Sequence, residues 1–195
     1  MMGLVLCGGQ SSRMGTDKGS LLLGSQTWAS LAATKLKAFH IAVNFSINSI
    51  QKQAYSTLFE AEQLIIDDDT LNFGGPLKGI LSAHLQKPTE DIFVLACDLV
   101  NMNYALMASL LKEQELHQDF EAYVFKNSNF YEPLCGIYTA KGLNRISKQI
   151  KKNNLQKYNT QAVLKEFNTF TIPISTSDQY YFKNFNSPRE INELL

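Results

Sequence analysis

The sequence predicts an α/β fold in which helices pack on a mostly parallel central sheet. Three observations predict it. Short apolar runs alternate with longer segments of helical period, the pattern of strands joined by crossover helices. The run "DIFVLACD" (91–98) is apolar nearly throughout, as a strand buried on both faces must be, and it ends in one carboxylate. Directly behind the first apolar run stands "CGGQSSRMGTDKG", a glycine-rich turn of the kind whose backbone amides converge on an anion.

The elements follow in order. "GLVLCG" (3–8) reads as the first strand. In "TWASLAATKLKAF" (27–39), Trp28, Leu31, Ala32, Leu36 and Phe39 fall on or beside one stripe, which predicts an amphipathic helix. "IAVNFS" (41–46) is a second strand, a short helix follows over 50–59, and "QLIID" (63–67) is a third strand. A helix starts at Pro76, where a first turn accepts proline. After the strand at 91–98 come a helix at 104–118, strands at 121–126 and 134–139, helices near 140–151 and 160–167, and a strand at 169–174. Ser187, Pro188 and Glu190 have the arrangement of an N-cap, a first-turn proline and a capping-box partner, so a terminal helix is expected from Pro188. No repeat, low-complexity tract or linker interrupts the chain, and its 195 residues suit one domain, 1–195.

Composition narrows the function classes. The chain is 45% hydrophobic and 18% charged, and 18 basic residues balance 18 acidic ones, so no bulk charge points to nucleic acid or to an anionic membrane. Any phosphate-binding function must come from a local arrangement. The N-terminus lacks the basic region and long apolar core of a signal peptide, and no run of about 18 apolar residues occurs, so a cytoplasmic location is expected. Cys7, Cys97 and Cys135 form no Cys-x-x-Cys pair and read as buried thiols, while His40, His84 and His117 are scattered and receive no chemistry.

The first loop is therefore the centre of the functional reading. A Walker-type loop needs lysine directly after its second glycine, but Gly15 is followed by Thr16 and Asp17 before Lys18. The dinucleotide-binding Gly-x-Gly-x-x-Gly also fails, because Gly8 and Gly9 are adjacent and the next glycine is Gly15. What remains is Leu6-Cys7-Gly8-Gly9, two serines, Arg13-Met14-Gly15 and Asp17-Lys18.

That string resembles the signature loop of nucleotidyltransferases with a three-layer Rossmann-like fold. It is most similar to the molybdenum cofactor guanylyltransferase family, whose pattern is Leu-Ala-Gly-Gly, a spacer, Arg-Met-Gly, one residue, Asp-Lys. Cys7 stands where the family usually has alanine. Further segments match along the chain. Asp98 ends "LACD" as the family's magnesium-binding aspartate does, although Leu99-Val100 replaces the usual Asp-x-Pro continuation. Gly75, Pro76, Leu77 and Gly79 match the Gly-Pro-Leu-x-Gly segment that helps recognise guanine. In the strands before it, Asp68 of "IIDDDT" and Asn44 of "IAVN" align with nucleotide-contacting positions. Near the C-terminus, Asn184, Asn186, Pro188 and Glu190 resemble an Asn-x-Asn-x-Pro-x-Glu segment of the pterin side, and Tyr131 with Pro133 resembles a strand that shapes the pterin pocket. The aromatics Tyr180, Tyr181, Phe182 and Phe185 read as packing.

The resemblance implies transfer of GMP from GTP to the phosphate of molybdopterin, or of Mo-molybdopterin, with Mg²⁺ as cofactor and pyrophosphate as product. It implies catalytic roles for Lys18, Arg13 and Asp98, with Asp98 the metal ligand, and nucleotide contacts from Leu6, Cys7, Gly8, Gly9 and Gly15. A molybdoenzyme or another cofactor-biosynthesis protein is the implied partner. Two other readings stay open at this point: a cytidylyl- or sugar-phosphate nucleotidyltransferase, and a non-catalytic nucleotide-binding factor that delivers cofactor.

Overall fold

In the computed structural model, which describes residues 1–8, 17–155, 157–185 and 190, the opening run forms strand β1 (Met2–Leu6), buried at every position. A short antiparallel hairpin follows, β2 (Leu22–Leu23) with β3 (Gln26–Thr27). The sequence reading did not anticipate it, because two residues per strand leave no alternation to detect. Thr27 then caps α1 (Trp28–Lys37), its Oγ1 accepting from Ser30 N–H at 3.1 Å. Next come β4 (Val43–Ile47), the single-turn α2 (Lys52–Tyr55), β5 (Leu64–Ile66), α3 (Pro76–Gln86) and β6 (Ile92–Ala96). The second half holds α4 (Tyr104–Leu116), β7 (Ala122–Asn127), β8 (Phe130–Tyr138), α5 (Ala140–Lys151), α6 (Thr160–Glu166) and β9 (Thr169–Pro173).

Seven strands make one sheet in the order β5-β4-β1-β6-β8-β7-β9, mostly parallel as the sequence predicts, with β8 running antiparallel to its neighbours. The helices cover both faces. Gly3 of β1 meets Leu36 of α1, whereas Leu6 meets Gly79 of α3. Residues three apart in a strand point to opposite faces, so α1 and α3 lie on opposite sides of the sheet. A Cβ at Gly79 would collide with Ser46 Oγ, and this close approach seats α3 directly over the ends of β1 and β4.

One strand is longer than expected. The sequence marks 134–139, but β8 begins at Phe130. Its register with β7 jumps from Gly136↔Val124 to Glu132↔Phe125, and the bulge absorbs Pro133, which has no N–H to give a ladder. At the chain's end, Phe182 packs edge-on against Phe125 and Phe185 against Trp28. Tyr180, in contrast, remains 59% exposed, outside the packing role expected of it. The terminal helix expected from Pro188 lies outside the described residues. Among the described residues no helix is long and apolar enough to cross a membrane.

A bidentate ion pair closes the edge of the sheet beside β9. Arg145 Nε and Nη2 donate to Glu121 Oε1 and Oε2, each at 2.7 Å, and Asn168 N–H adds a third bond at 2.9 Å. The Arg145 guanidinium first, and the Asn168 amide after it, hold the nearly buried Glu121 carboxyl below its ordinary range. A lowered carboxyl pKa stabilises the fold above the unfolded value, near 4.5, and that contribution is lost as pH falls through the folded value. Glu121→Gln is therefore expected to cost about 2 kcal/mol at neutral pH. In denaturant melts the gap to the wild type should close below about pH 4.5.

Candidate active site

The carboxyl ends of β1, β4 and β6 open onto one crevice with two lobes, where open parallel sheets bind ligands. Leu6, Gly8, Gly75 and Pro76 border both lobes and join them. The smaller lobe, about 250 Å³, contains Lys18, Asp98, Cys7 and Leu134. The larger, about 480 Å³, contains Ser46, Asn48, Asp67, Phe73 and Lys78.

Lys18 and Asp98 meet in the smaller lobe although 80 positions separate them. Lys18 Nζ donates to Asp98 Oδ2 at 2.8 Å, and the two side chains are only 18% and 16% exposed. The local sequence explains the placement of each. Lys18 begins a short helical turn whose N-cap, Asp17, accepts from Gly19 N–H at 3.2 Å. Gly19 lets that turn press onto the fully buried Tyr55, since a Cβ there would collide with the phenol oxygen. Asp98 lies two residues beyond the end of β6, and its turn is closed by Leu99 N–H to Ala96 O at 3.2 Å and Met102 N–H to Leu99 O at 3.0 Å.

The turn after Asp98 lacks the family's proline, and Lys35 of α1 supplies a different clamp. Its Nζ donates to Val100 O at 2.5 Å. Burial lowers the Lys35 pKa from 10.5 to about 8. A lysine depressed in the fold costs stability wherever it is charged, so the penalty is full below pH 8 and vanishes above 10.5. The stability of the wild type relative to Lys35→Met is expected to be flat below pH 8 and to rise from pH 8 to 10.5, as chemical denaturation across that interval will show.

The floor of the smaller lobe carries little charge. Cys7 and Cys97 follow one another in register at the ends of β1 and β6, both buried as expected. A hydrogen bond with Cys7 and then burial hold the Cys97 thiol well above its ordinary range. Burial does the same to the Tyr55 phenol.

Other anticipated residues separate into groups. Leu6, Cys7, Gly8, Gly75, Pro76 and Gly79 line the crevice, with Gly75 at φ 80° turning the chain into α3. Leu77 faces the core at 1% exposure. The amides of Cys7 and Gly8 are not open to a phosphate: both donate to Ser46 O, at 3.0 and 3.1 Å. Asn44 is not brought to the crevice. It sits inside β4, buried, with its amide donating to Glu62 O and its oxygen accepting from Lys87 Nζ. Asp68 is also turned away, accepting from both the N–H and the hydroxyl of Thr70, which lower its pKa. Asn184 is half-buried beside Phe185 and borders neither lobe. Tyr131 is tied through its backbone to the Gln161 side chain. Gly9, Arg13, Gly15 and Asn186 lie outside the described residues.

In place of Asn44 and Asp68, the crevice receives Asn48 and Asp67, the first residues past the ends of β4 and β5. Asp67 is half-buried, and burial raises its pKa against the opposing pull of Lys78 and a 3.4 Å hydrogen bond from Ser46 Oγ. Counting to the last strand residue rather than to the matching letter is the signal that finds both.

The donor set of the smaller lobe suits a magnesium ion that arrives with phosphates. Magnesium keeps several waters and takes one or two carboxylates plus substrate oxygens, and Asp98 offers one half-buried carboxylate there. Among the described residues no cluster of three acidic, histidine or cysteine side chains exists that could hold a resident metal.

Comparison with known proteins bears on the family and the fold. The model of the MobA-like NTP transferase domain matches residues 3–167. A probable molybdenum cofactor guanylyltransferase of Geobacillus sp. (strain WCH70) is 27% identical over 203 residues, covering 100% of this chain and 98% of that protein. Among solved structures, molybdopterin-guanine dinucleotide biosynthesis protein A from Archaeoglobus fulgidus superposes with a TM-score of 0.76 at 22% identity, covering 100% of this chain and 96% of that one. The bifunctional IspDF of Campylobacter jejuni shares the fold more distantly, with a TM-score of 0.70 at 14% identity over 99% of this chain and 53% of its own. With most of its length matched, the chain belongs to the MobA-like NTP transferase family and is a nucleotidyltransferase.

Proposed function

We propose that the protein transfers GMP from GTP to the terminal phosphate of molybdopterin or Mo-molybdopterin in the cytoplasm. A phosphate oxygen of the pterin attacks the α-phosphorus of GTP, the bond from that phosphorus to the bridging oxygen breaks, and pyrophosphate leaves. The nucleophile is already anionic and requires no strong general base. The observation that carries this reading is the Lys18–Asp98 pair, 2.8 Å apart in a lobe that also borders the glycine-rich loop.

In this reading Lys18 places a fixed ammonium against the departing pyrophosphate, where negative charge accumulates. Asp98 would hold Mg²⁺ that arrives with the phosphates, and when bound the ion would supply charge neutralisation there. Arg13 adds a second cation from the loop. Leu6, Gly8, Gly75 and Pro76 form a path with little side-chain bulk, along which the nucleotide reaches from one lobe to the other. The large lobe takes the nucleoside, with Phe73 as an apolar wall. The small-residue approach and the size of this lobe favour a purine.

The test is pyrophosphate release by purified protein with magnesium, molybdopterin and either GTP or CTP. Release with GTP and little with CTP is expected. Preference for CTP would replace guanylyl by cytidylyl transfer, and nucleotide binding without release would make the protein a cofactor-delivery factor.

A further inference from the structure

The nucleoside lobe holds a charge that the transfer chemistry does not use. Lys78, the third residue of α3, fills the variable place of the Gly75-Pro76-Leu77-x-Gly79 segment. Its side chain is only 19% exposed, yet its ion-pair partner, Asp69, is 92% exposed and 3.5 Å away. Such a pair holds a lysine weakly. The ammonium also attracts the Asp67 carboxylate, which lines the same lobe.

The same lobe supplies the complementary group. Asp67 Oδ1 accepts the long bond from Ser46 Oγ, and its Oδ2 receives no hydrogen bond among the described residues. The walls beside the two charges are open backbone: a Cβ at Gly74 or Gly75 would meet nothing within 4 Å, so a flat ring can lie there. One lobe thus presents a strong donor and a strong acceptor beside open backbone.

That pattern matches one base better than the others. Guanine offers the acceptors O6 and N7 next to the donors N1–H and the 2-amino group. Adenine and cytosine carry an amino group where guanine has O6, which would set donor against donor. We infer that Lys78 is a specificity-determining residue, its ammonium donating to O6 of the guanine while Asp67 accepts from the base's N–H groups. The inference rests on the GTP reading above and names the group that selects the base.

The experiment measures binding calorimetrically, in magnesium, for GTP and for 2-aminopurine riboside triphosphate, which keeps the 2-amino group and all phosphates but lacks O6 and the N1–H. Lys78→Met is expected to weaken GTP by about ten- to a hundredfold and to leave the analogue within about twofold of the wild type. Lys78→Arg, which keeps a donor, should retain most of the preference for GTP. Equal weakening of both nucleotides by Lys78→Met would show that the lysine acts on phosphates, and would overturn the inference while leaving guanylyl transfer intact. A wild type that binds CTP more tightly than GTP would overturn both. Should Lys78→Met fail to fold, as judged by thermal melting, Lys78→Ala gives the same donor-free comparison.

Discussion

Lys18→Met is expected to slow pyrophosphate release with GTP by about 10²- to 10³-fold, or about 3–4 kcal/mol of transition-state stabilisation. The position of the ammonium sets this effect. It stands 2.8 Å from Asp98 with 18% of its side chain exposed, on a turn fixed below by Tyr55 and capped by Asp17. A cation already in place when charge builds on the leaving pyrophosphate needs no reorganisation, and in a water-poor lobe its effect is larger than in bulk solvent. The loss should fall mainly on kcat, since charge on the leaving group is a property of the transition state more than of bound GTP. Lys18→Arg should recover only part of the rate, because a planar fork does not occupy the place of a compact ammonium. A Lys18→Met enzyme with unchanged kcat and a raised KM would instead make the lysine a simple anchor for the triphosphate.

The parts of this site legible in the sequence were those fixed by local chemistry. A glycine loop containing Asp17-Lys18 and a buried strand ending in Asp98 each carry their own signal, and the parallel sheet brings the two ends together. The misreadings arose where position along a strand mattered more than residue type. β4 runs three residues past Asn44, so the asparagine at the crevice is Asn48, and β5 stops at Ile66, which presents Asp67 and leaves Asp68 to cap its own turn. Long-range partners were invisible for another reason. Ser46 O consumes the amides of Cys7 and Gly8, and Lys35 clamps Val100 across 65 positions, with no pattern near either residue to announce it. The fold class was legible because strand and helix periods are local. The antiparallel course and early start of β8 were not, because a bulge around Pro133 hides the alternation.

Asp98→Asn should cost about 10³-fold or more, since it removes an anionic metal ligand and the counter-charge of Lys18 together. Two measurements separate these roles. In its proposed role as magnesium ligand, Asp98 would set the metal dependence, so the variant should need much more magnesium for half-maximal rate, whereas Lys18→Met should leave that midpoint near the wild-type value. As the partner of Lys18, it should couple energetically with the lysine. The double variant is then expected to be little slower than Asp98→Asn alone, because groups 2.8 Å apart that serve one event do not add independently. Strictly multiplicative effects, with an unshifted magnesium midpoint in Asp98→Asn, would mean that the carboxylate only orients the lysine and that the metal is held elsewhere. Thermal melts of the three variants guard the comparison, since removing either member of an ion pair in a lobe so little exposed should cost about 1–3 kcal/mol of stability.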